Sequence, residues 1–169
     1  MDFETIFSAF LESRNQLKVI SVATCDQKGK PNSAPKMLVD IESPDKLYFL
    51  EYKHTHSYSN LLENPELSVS FMNDAAFTGY RLNGTAQILA FGPEFEEAKK
   101  RWERRLISYE ADRIINRVRG LYSTKESENN LPRDFVIVKL TATEGSVVKP
   151  DRVFRAAAQI DTTDDRKGK

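Results

Sequence analysis

Most of the chain alternates apolar and polar residues with the two-residue period of a β-strand, and helical spacing is limited to three segments. Leu17–Cys25 and Leu67–Phe71 alternate in this way, while Leu47–Leu50 is an apolar run typical of a strand buried on both faces. Asp134–Lys149 forms the last long predicted strand, with a bulge or kink at Glu144–Gly145. The pattern therefore predicts a mainly β protein.

One predicted strand, Asn32–Ile41, carries Pro35 in its interior. Proline has no backbone N–H and disrupts a central ladder, so this strand is predicted to lie at an edge or to be bulged near Pro35. Either arrangement leaves backbone groups near Pro35 free for a ligand. Short turns at Asp26–Pro31 and Glu42–Asp45 join this strand to its two neighbours, which predicts a three-stranded meander.

The segment Thr78–Phe91 allows two interpretations. Asn83-Gly84 between two strand-like halves is a strong signal for a two-residue hairpin. The whole segment can also form one long strand with a bulge at the glycine. The local sequence leaves both interpretations open.

Helical spacing begins at the start of the chain. Five apolar residues there fall on one helical face and predict an amphipathic helix that covers a barrel or sheet: Phe3, Ile6, Phe7, Phe10 and Leu11. A longer helical region begins at Pro93, with acidic residues in its first turn. Its apolar stripe shifts after Tyr109, which predicts a break near Ser108 and a second helix that ends at Gly120.

The count of elements predicts a mainly β fold with flanking helices. Six strands, mostly in an antiparallel meander, are expected to close into a small barrel. Residues 1–160 are predicted to form a single domain. The polar segment 123–133 is predicted to be a surface loop, and residues 161–169 a disordered tail.

Composition limits the possible partners. Apolar residues make up 40% of the 169 residues, as in a soluble globular protein. Lys+Arg and Asp+Glu number 25 each, so no net charge draws the chain toward nucleic acid or an anionic membrane, and any anion site must be local. No apolar run approaches the length of a membrane span. The single cysteine, Cys25, agrees with a reducing compartment, so we expect a cytoplasmic protein.

The strongest candidate for a binding site follows the apolar run Leu47–Leu50. A cation, both histidines and two hydroxyls are concentrated there: Lys53, His54, Thr55, His56 and Ser57. A short helix that stops at Pro65 comes next, and Thr55 or Ser57 is predicted to cap it at a solvent-facing start. Free backbone N–H groups, hydroxyls and positive side chains would then converge, which is the chemistry of a phosphate site. The alternative is an ordinary capped helix with solvated histidines. No catalytic acid–base pair and no metal site is predicted.

Four segments taken together resemble the FMN-binding split-barrel family that includes pyridoxamine 5′-phosphate oxidase. They are ATCDQKGKPNSAPKMLVD, LYFLEYKHTHSYSNLLENPELSVSF, GYRLNGTAQIL and VIVKLTATEGSVVKP, and they extend from about Val19 to Pro150. The resemblance lies in the order and spacing of the segments rather than in any one residue. It implies a six-stranded antiparallel split barrel in which Thr78–Phe91 is one continuous strand. It also implies a homodimer with FMN at the subunit interface.

The family's functional residues transfer to two places in this chain. The resemblance implies that the flavin ring lies against Ser33, Ala34, Pro35, Lys36 and Met37, and that the phosphate lies against Thr55, His56 and Ser57, with Lys53 close by. Lys36 and Arg81 are candidates for positive charge beside the reduced flavin, with plain surface charge as the alternative. His56-Ser57 replaces an Arg-Lys pair of the oxidase, so a titrating ring and a hydroxyl replace part of the charge.

The implied function is that of an FMN-dependent oxidoreductase of unknown substrate, with NADH, NADPH or another small molecule as electron donor. Nothing after Pro150 matches the oxidase's arginine-rich substrate-binding segment, which argues against vitamin B6 oxidation itself. One alternative is a non-catalytic flavin carrier or store. Another is a small barrel that binds oligonucleotides, which the zero net charge opposes.

Overall fold

The computed structural model describes residues 1–118 and 134–158, in which there are seven strands and three helices. The strands are β1 (Val19–Cys25), β2 (Pro31–Glu42), β3 (Lys46–Glu51), β4 (Glu66–Asn73), β5 (Thr78–Leu89), β6 (Val136–Val148) and β7 (Val153–Ala157). The helices are α1 (Phe3–Ser13), α2 (His56–Glu63) and α3 (Pro93–Val118). The predicted loop 123–133, the helix end at Gly120 and the tail 161–169 lie outside the described residues.

Six strands close into an antiparallel barrel in the order β3–β2–β1–β4–β5–β6, and β6 returns to pair with β3 along the whole of that strand. This confirms the predicted mainly β fold, a six-stranded antiparallel barrel with flanking helices. A seventh strand, β7, pairs with the end of β6. The sequence pattern does not predict β7, because only five residues form it and Phe154 and Ala156 alone pack against the core.

The helix α1 packs onto the apolar interior of the barrel. Four of its residues are buried there, as the helical spacing predicts: Phe3, Ile6, Phe7 and Phe10. The helix lies so close to β6 that only glycine fits at position 145, since a Cβ on Gly145 would lie 2.8 Å from Cγ2 of Ile6. The predicted amphipathic helix is therefore confirmed as a cover for the barrel.

The strand β5 is continuous, so the hairpin interpretation of Asn83-Gly84 is wrong. The single strand that the family resemblance implies is confirmed. Its register with β6 shifts between those two residues: Asn83 is opposite Glu144, whereas Gly84 is opposite Ala142. The extra residue is therefore Thr143, one position before the bulge that the sequence predicts.

This bulge changes which residues of β6 face the core. Before it, the core residues of β6 are even-numbered, as with Leu140 and Ala142, whereas after it Val147 is in the core. Side chains alternate along a strand, so Ser146 and Val148 lie on the outer face of the barrel. Without the extra residue their orientation would be reversed.

The helix α3 is continuous from Pro93 to Val118, so the predicted break near Ser108 is wrong. Three residues of this helix are buried against the outside of the barrel: Ala98, Trp102 and Tyr109. Farther along, Ala111 and Ile115 are exposed. These two residues of the shifted stripe therefore form no core contact that would require a kink.

Tyr48 connects β3 to the start of α3. Its hydroxyl lies 3.0 Å from Oε2 of Glu42 and 3.3 Å from Oε1 of Glu94. The guanidinium of Arg101 lies 4.8 Å from the centre of the ring. Burial, and then the negative charge of Glu94, raise the pKa of Tyr48 to about 12. The phenol therefore remains a hydrogen-bond donor to these carboxylates at physiological pH.

Candidate functional site

The first part of β2 has a partner strand on one side only. Residues Pro31–Met37 pair with β1, whereas pairing with β3 begins at Leu38, where the register also shifts. The N–H of Leu38 bonds to the carbonyl of Lys18 on the β1 side at 3.0 Å. Backbone N–H and C=O groups point to alternate sides along a strand, so those of Pro35 point away from β1, toward the open side. The missing N–H of proline therefore removes no hydrogen bond between strands. The predicted edge position of Pro35 is confirmed.

A cavity of about 630 Å³ lies beside this open edge, on the outer face of the barrel. Four polar side chains of the outer face line it: Ser21, Ser33, Ser70 and Arg81. The remaining lining is mostly apolar and includes Ala34, Pro35, Val19, Met72 and Val148. Among the described residues, no carboxylate, imidazole or thiol lines the cavity. The arrangement therefore suits binding more than acid–base catalysis.

A row of cross-strand partners crosses this face of the sheet. Ser21 of β1 is opposite Pro35 of β2 on one side and opposite Ser70 of β4 on the other. Ser70 is in turn opposite Arg81 of β5, and Arg81 is opposite Ser146 of β6. Partners in such a row lie on the same face of a sheet, so three hydroxyls and one guanidinium are brought into line.

Arg81 has no protein acceptor within the part of the chain that the structure describes. Its Nε is buried without a hydrogen-bond partner. Beside it, Ser146 is 1% exposed and its hydroxyl also lacks a partner. Buried polar groups in proteins are nearly always satisfied, so two adjacent unsatisfied groups beside a cavity make this part of the outer face a candidate binding site.

The corner that the sequence predicts as a phosphate site lies at the start of α2. Thr55 caps this helix, as predicted, because its Oγ1 accepts the N–H of Tyr58 at 3.1 Å. The same hydroxyl donates to Oε1 of Glu51 at 2.7 Å. Both the donor and an acceptor position of Thr55 are therefore used within the protein.

Glu51, the last residue of β3, is fully buried below this corner. Nζ of Lys36 lies 2.7 Å from its Oε1, and both side chains of this ion pair are buried. The N–H of Tyr52 and the Thr55 hydroxyl also bond to Oε1, whereas Oε2 has no partner among the described residues. The charges of Lys36 and Glu51 therefore neutralise each other, so Lys36 brings no net positive charge to the corner.

Ser57 does not face solvent, so that expectation for the start of α2 is wrong for this residue. Ser57 is 1% exposed, and its hydroxyl accepts a hydrogen bond from Asn32 at 3.0 Å. Leu61, one turn later, is buried in the core and draws this face of α2 inward. Lys53 and His56 are exposed, and Nζ of Lys53 lies 3.4 Å from the carboxylate of Asp134.

The ten predicted site residues therefore fall into two groups, those that line the cavity and those that do not. Four of them line the cavity: Ser33, Ala34, Pro35 and Arg81. The other six do not line it: Lys36, Met37, Lys53, Thr55, His56 and Ser57. The residues that sequence reasoning misses are Ser21, Ser70 and Glu51. The two serines lie in alternating strands without a motif, and only strand register brings them beside Arg81.

Neither a metal centre nor a membrane span is found in the described ranges. Residues 1–118 and 134–158 contain no cluster of histidine, cysteine or acidic side chains suited to a metal ion. Within the same ranges, every helix is too short or too polar to cross a membrane.

The closed barrel, the short helix between β3 and β4 and the cavity beside an open strand edge define a split-barrel protein with a site for a small molecule. The family model described as pyridoxamine 5′-phosphate oxidase matches residues 6–149. The chain therefore belongs to the pyridoxamine 5′-phosphate oxidase family. The comparison with curated proteins gives no match.

Solved structures support the same fold at low sequence identity. A protein related to general stress protein 26, from Clostridium acetobutylicum, is 19% identical over 93% of this chain and 96% of its own, with a TM-score of 0.63. An FMN-binding protein related to pyridoxamine 5′-phosphate oxidase, from Nostoc punctiforme, is 12% identical over 92% and 89%, with a TM-score of 0.57. A heme-binding protein from Mycobacterium smegmatis is 14% identical over 92% of this chain and 57% of its own, with a TM-score of 0.60.

Proposed function

We propose that this protein is a flavoprotein that binds FMN in the cavity beside β2. The observation that carries the proposal is the cavity itself, which lies where the resemblance implies the flavin ring and is lined by Ser33, Ala34 and Pro35. Membership of the family and the FMN-binding relative from Nostoc punctiforme support the same ligand.

The described residues fit the ring side of this cofactor. A cavity of about 630 Å³ is within the range of sites for ligands of this size, which is roughly 300–1,000 Å³. Its apolar walls suit a flat aromatic ring, and the open edge of β2 from Ser33 to Met37 supplies unpaired backbone groups to the polar edge of the ring. Lys36, buried against Glu51, would act here by holding β2 in place.

Two groups of residues are candidates for the phosphate end. The first is the predicted corner at the start of α2, with Lys53, Thr55, His56 and Ser57. The second is Arg81. At the corner, Thr55 donates to Glu51 and Lys53 pairs with Asp134, whereas Ser57 only accepts a bond from Asn32 and Arg81 has no acceptor among the described residues.

The proposed activity is that of an oxidoreductase, since bound FMN supplies hydride and electron transfer. The chain's own residues position the ring and exclude water, while substrate and catalytic residues are not assigned. A flavin carrier without its own substrate is the alternative, favoured by a lining without acid–base side chains. Anaerobic addition of NADH or NADPH separates the two, because an oxidoreductase with a nicotinamide donor loses its flavin colour. We place the protein in the cytoplasm, which suits its single cysteine.

Filling the cavity is expected to abolish flavin binding without unfolding the protein. Ser70→Phe adds a ring beside Arg81, so FMN affinity, measured by quenching of flavin fluorescence, should fall by at least about tenfold, a loss of ~1.4 kcal/mol. Ser68→Phe is the matched control, because Ser68 lies two residues earlier on the same face of β4 and does not line the cavity. Equal loss in both variants would show that the ligand lies elsewhere. Tight binding of hemin in place of FMN would contradict the proposal itself.

A homodimer is part of the proposal, because exposed apolar residues of four strands adjoin the cavity. Val19, Met72, Val148 and Val153 are each about half exposed, at 46–54%. Light scattering should report about twice the 19.3 kDa mass of one chain. Val153→Glu should shift the mass toward the monomer, whereas Leu62→Glu, at an exposed apolar residue of α2, should not. A wild-type monomer at micromolar concentration would refute the dimer.

A further inference from the structure

The guanidinium of Arg81 is the only positive charge among the described residues that line the cavity. Its Nε is buried, and no residue of the described ranges accepts a hydrogen bond from it. Met72 and Val148, which also line the cavity, are apolar, so a charge pair formed there is screened less than one on an open surface. Within the described part of the chain, this cation therefore lacks a counter-charge.

A row of hydroxyls extends from Arg81 across the floor of the cavity. Ser70 is its partner on β4, and Ser21 of β1 is the next residue in the same row. Both serines line the cavity with Arg81. A guanidinium beside hydroxyl groups is a donor set that suits the oxygens of a carboxylate or a phosphate.

The charge of the lining favours a carboxylate over a phosphate monoester. Arg81 supplies one positive charge, and among the described residues no lysine, histidine or second arginine lines the cavity. One carboxylate neutralises this charge, whereas a phosphate dianion leaves negative charge in mostly apolar surroundings, which costs free energy. A carboxylate is also planar and can accept two parallel hydrogen bonds from one guanidinium.

The cation and the proposed flavin ring lie on two sides of the same cavity. The ring is proposed to lie against Ser33, Ala34 and Pro35 of β2. Arg81 is in the same row as Pro35 but three strands away, which is about 14 Å at a strand spacing of ~4.8 Å. The apolar body of a second small molecule fits between them, with its acidic group at Arg81.

The flavin phosphate has a separate place at the start of α2. The family resemblance implies this corner, and the first N–H groups of the helix lie there. The hydroxyl of Ser57 accepts a bond from Asn32, which leaves its own hydrogen for an anion. Binding of the phosphate at this corner leaves Arg81 available to another ligand.

We propose that Arg81, with Ser70 and Ser21, is the subsite that recognises the carboxylate of a small organic acid bound beside the flavin. The acid is the substrate or the electron donor of the proposed oxidoreductase. The inference rests on the proposed binding of FMN and adds the chemical class of the second ligand.

The test compares benzoate with benzamide, which has the same shape and no charge. Both are titrated by calorimetry into protein saturated with FMN, and a change in the visible absorption of the flavin shows that the ligand lies beside the ring. Wild type should bind benzoate at least about tenfold more tightly than benzamide. Arg81→Gln should remove this difference. Arg81→Lys should retain part of it, because lysine keeps the charge but not the two parallel bonds.

Lys53→Gln is the matched control, because it removes an exposed cation that does not line the cavity. Its affinity for benzoate should stay within about twofold of wild type. Equal affinities of wild type for benzoate and benzamide would mean that the guanidinium is paired elsewhere, as with a partner chain, and would overturn the inference. Tighter binding of phenyl phosphate than of benzoate would overturn the choice of a carboxylate.

A comparison of two loaded forms separates the subsite from the cofactor. Benzoate should bind equally well to protein loaded with FMN and to protein loaded with riboflavin, which lacks the phosphate. Binding to the riboflavin form alone would show that the FMN phosphate occupies Arg81, which overturns the inference while the proposed function stands. Failure of the wild type to bind FMN would overturn both.

Discussion

Replacing Lys36 by methionine is expected to lower the free energy of unfolding by about 3–5 kcal/mol, because it leaves the Glu51 carboxylate buried without its counter-ion. Both residues of this pair are buried, and their charged atoms lie 2.7 Å apart. Methionine has a similar length and fills the space, so the lost charge pair accounts for the effect. Urea denaturation monitored by circular dichroism measures the change in the free energy of unfolding.

Two further variants test whether burial causes the loss. Lys53→Met removes the same charge from an exposed pair with Asp134 and should cost no more than about 1 kcal/mol. Adding Glu51→Gln to Lys36→Met removes the stranded charge and should recover at least half of the lost stability, because Thr55 and the Tyr52 N–H still bond to the amide oxygen. Equal effects for Lys36→Met and Lys53→Met would contradict the buried pair.

The barrel could be predicted from the sequence because its signals are local. Alternation marks β1 and β4, the apolar run marks β3, and the helical stripe marks α1. The position of Pro35 on an open edge follows from the chemistry of proline alone. The predicted break in α3 is wrong because its signal is not local. Whether Ile115 contacts the core depends on the rest of the fold, and it is exposed.

The candidate site could be predicted only in part, because its main features depend on register. The cap at Thr55 follows from local sequence and is confirmed. The bond from Asn32 to the buried Ser57 joins residues 25 apart and forms only once β2 is in place. The pairing of Lys36 with Glu51 likewise joins two strands, and no local signal shows that the cation at this position is neutralised. Strand register also brings Ser70 and Ser146 beside Arg81.

The bulge at Thr143 links the fold to the site. It allows Val147 to enter the core while Ser146 lies beside Arg81 on the outer face. The glycine opposite the bulge, Gly84, makes this arrangement possible, because the two strands approach too closely there for any side chain. The bulge therefore determines which chemical groups reach the cavity.

Gly84→Ala is accordingly expected to destabilise the protein by about 3 kcal/mol or more. A Cβ at this position would lie 2.0 Å from the carbonyl oxygen of Thr141 and 2.9 Å from Cα of Ala142. Both are backbone atoms of a strand paired on its two edges, so the clash cannot be relieved by rotating a side chain. Denaturant unfolding should show the loss, and a shifted register would also displace Ser146 from its place opposite Arg81.

Gly79→Ala is the matched control on the same strand. A Cβ there would lie 3.7 Å from Cβ of Val148 and 3.8 Å from Sδ of Met72, which are ordinary contacts. Its effect on the free energy of unfolding should stay within about 1 kcal/mol, and reduced freedom of the unfolded chain favours the alanine. If Gly84→Ala proved as mild as Gly79→Ala, then β5 and β6 would not approach as closely at the bulge as the structure shows. The reason for Ser146 lying beside Arg81 would then have to be sought elsewhere in β6.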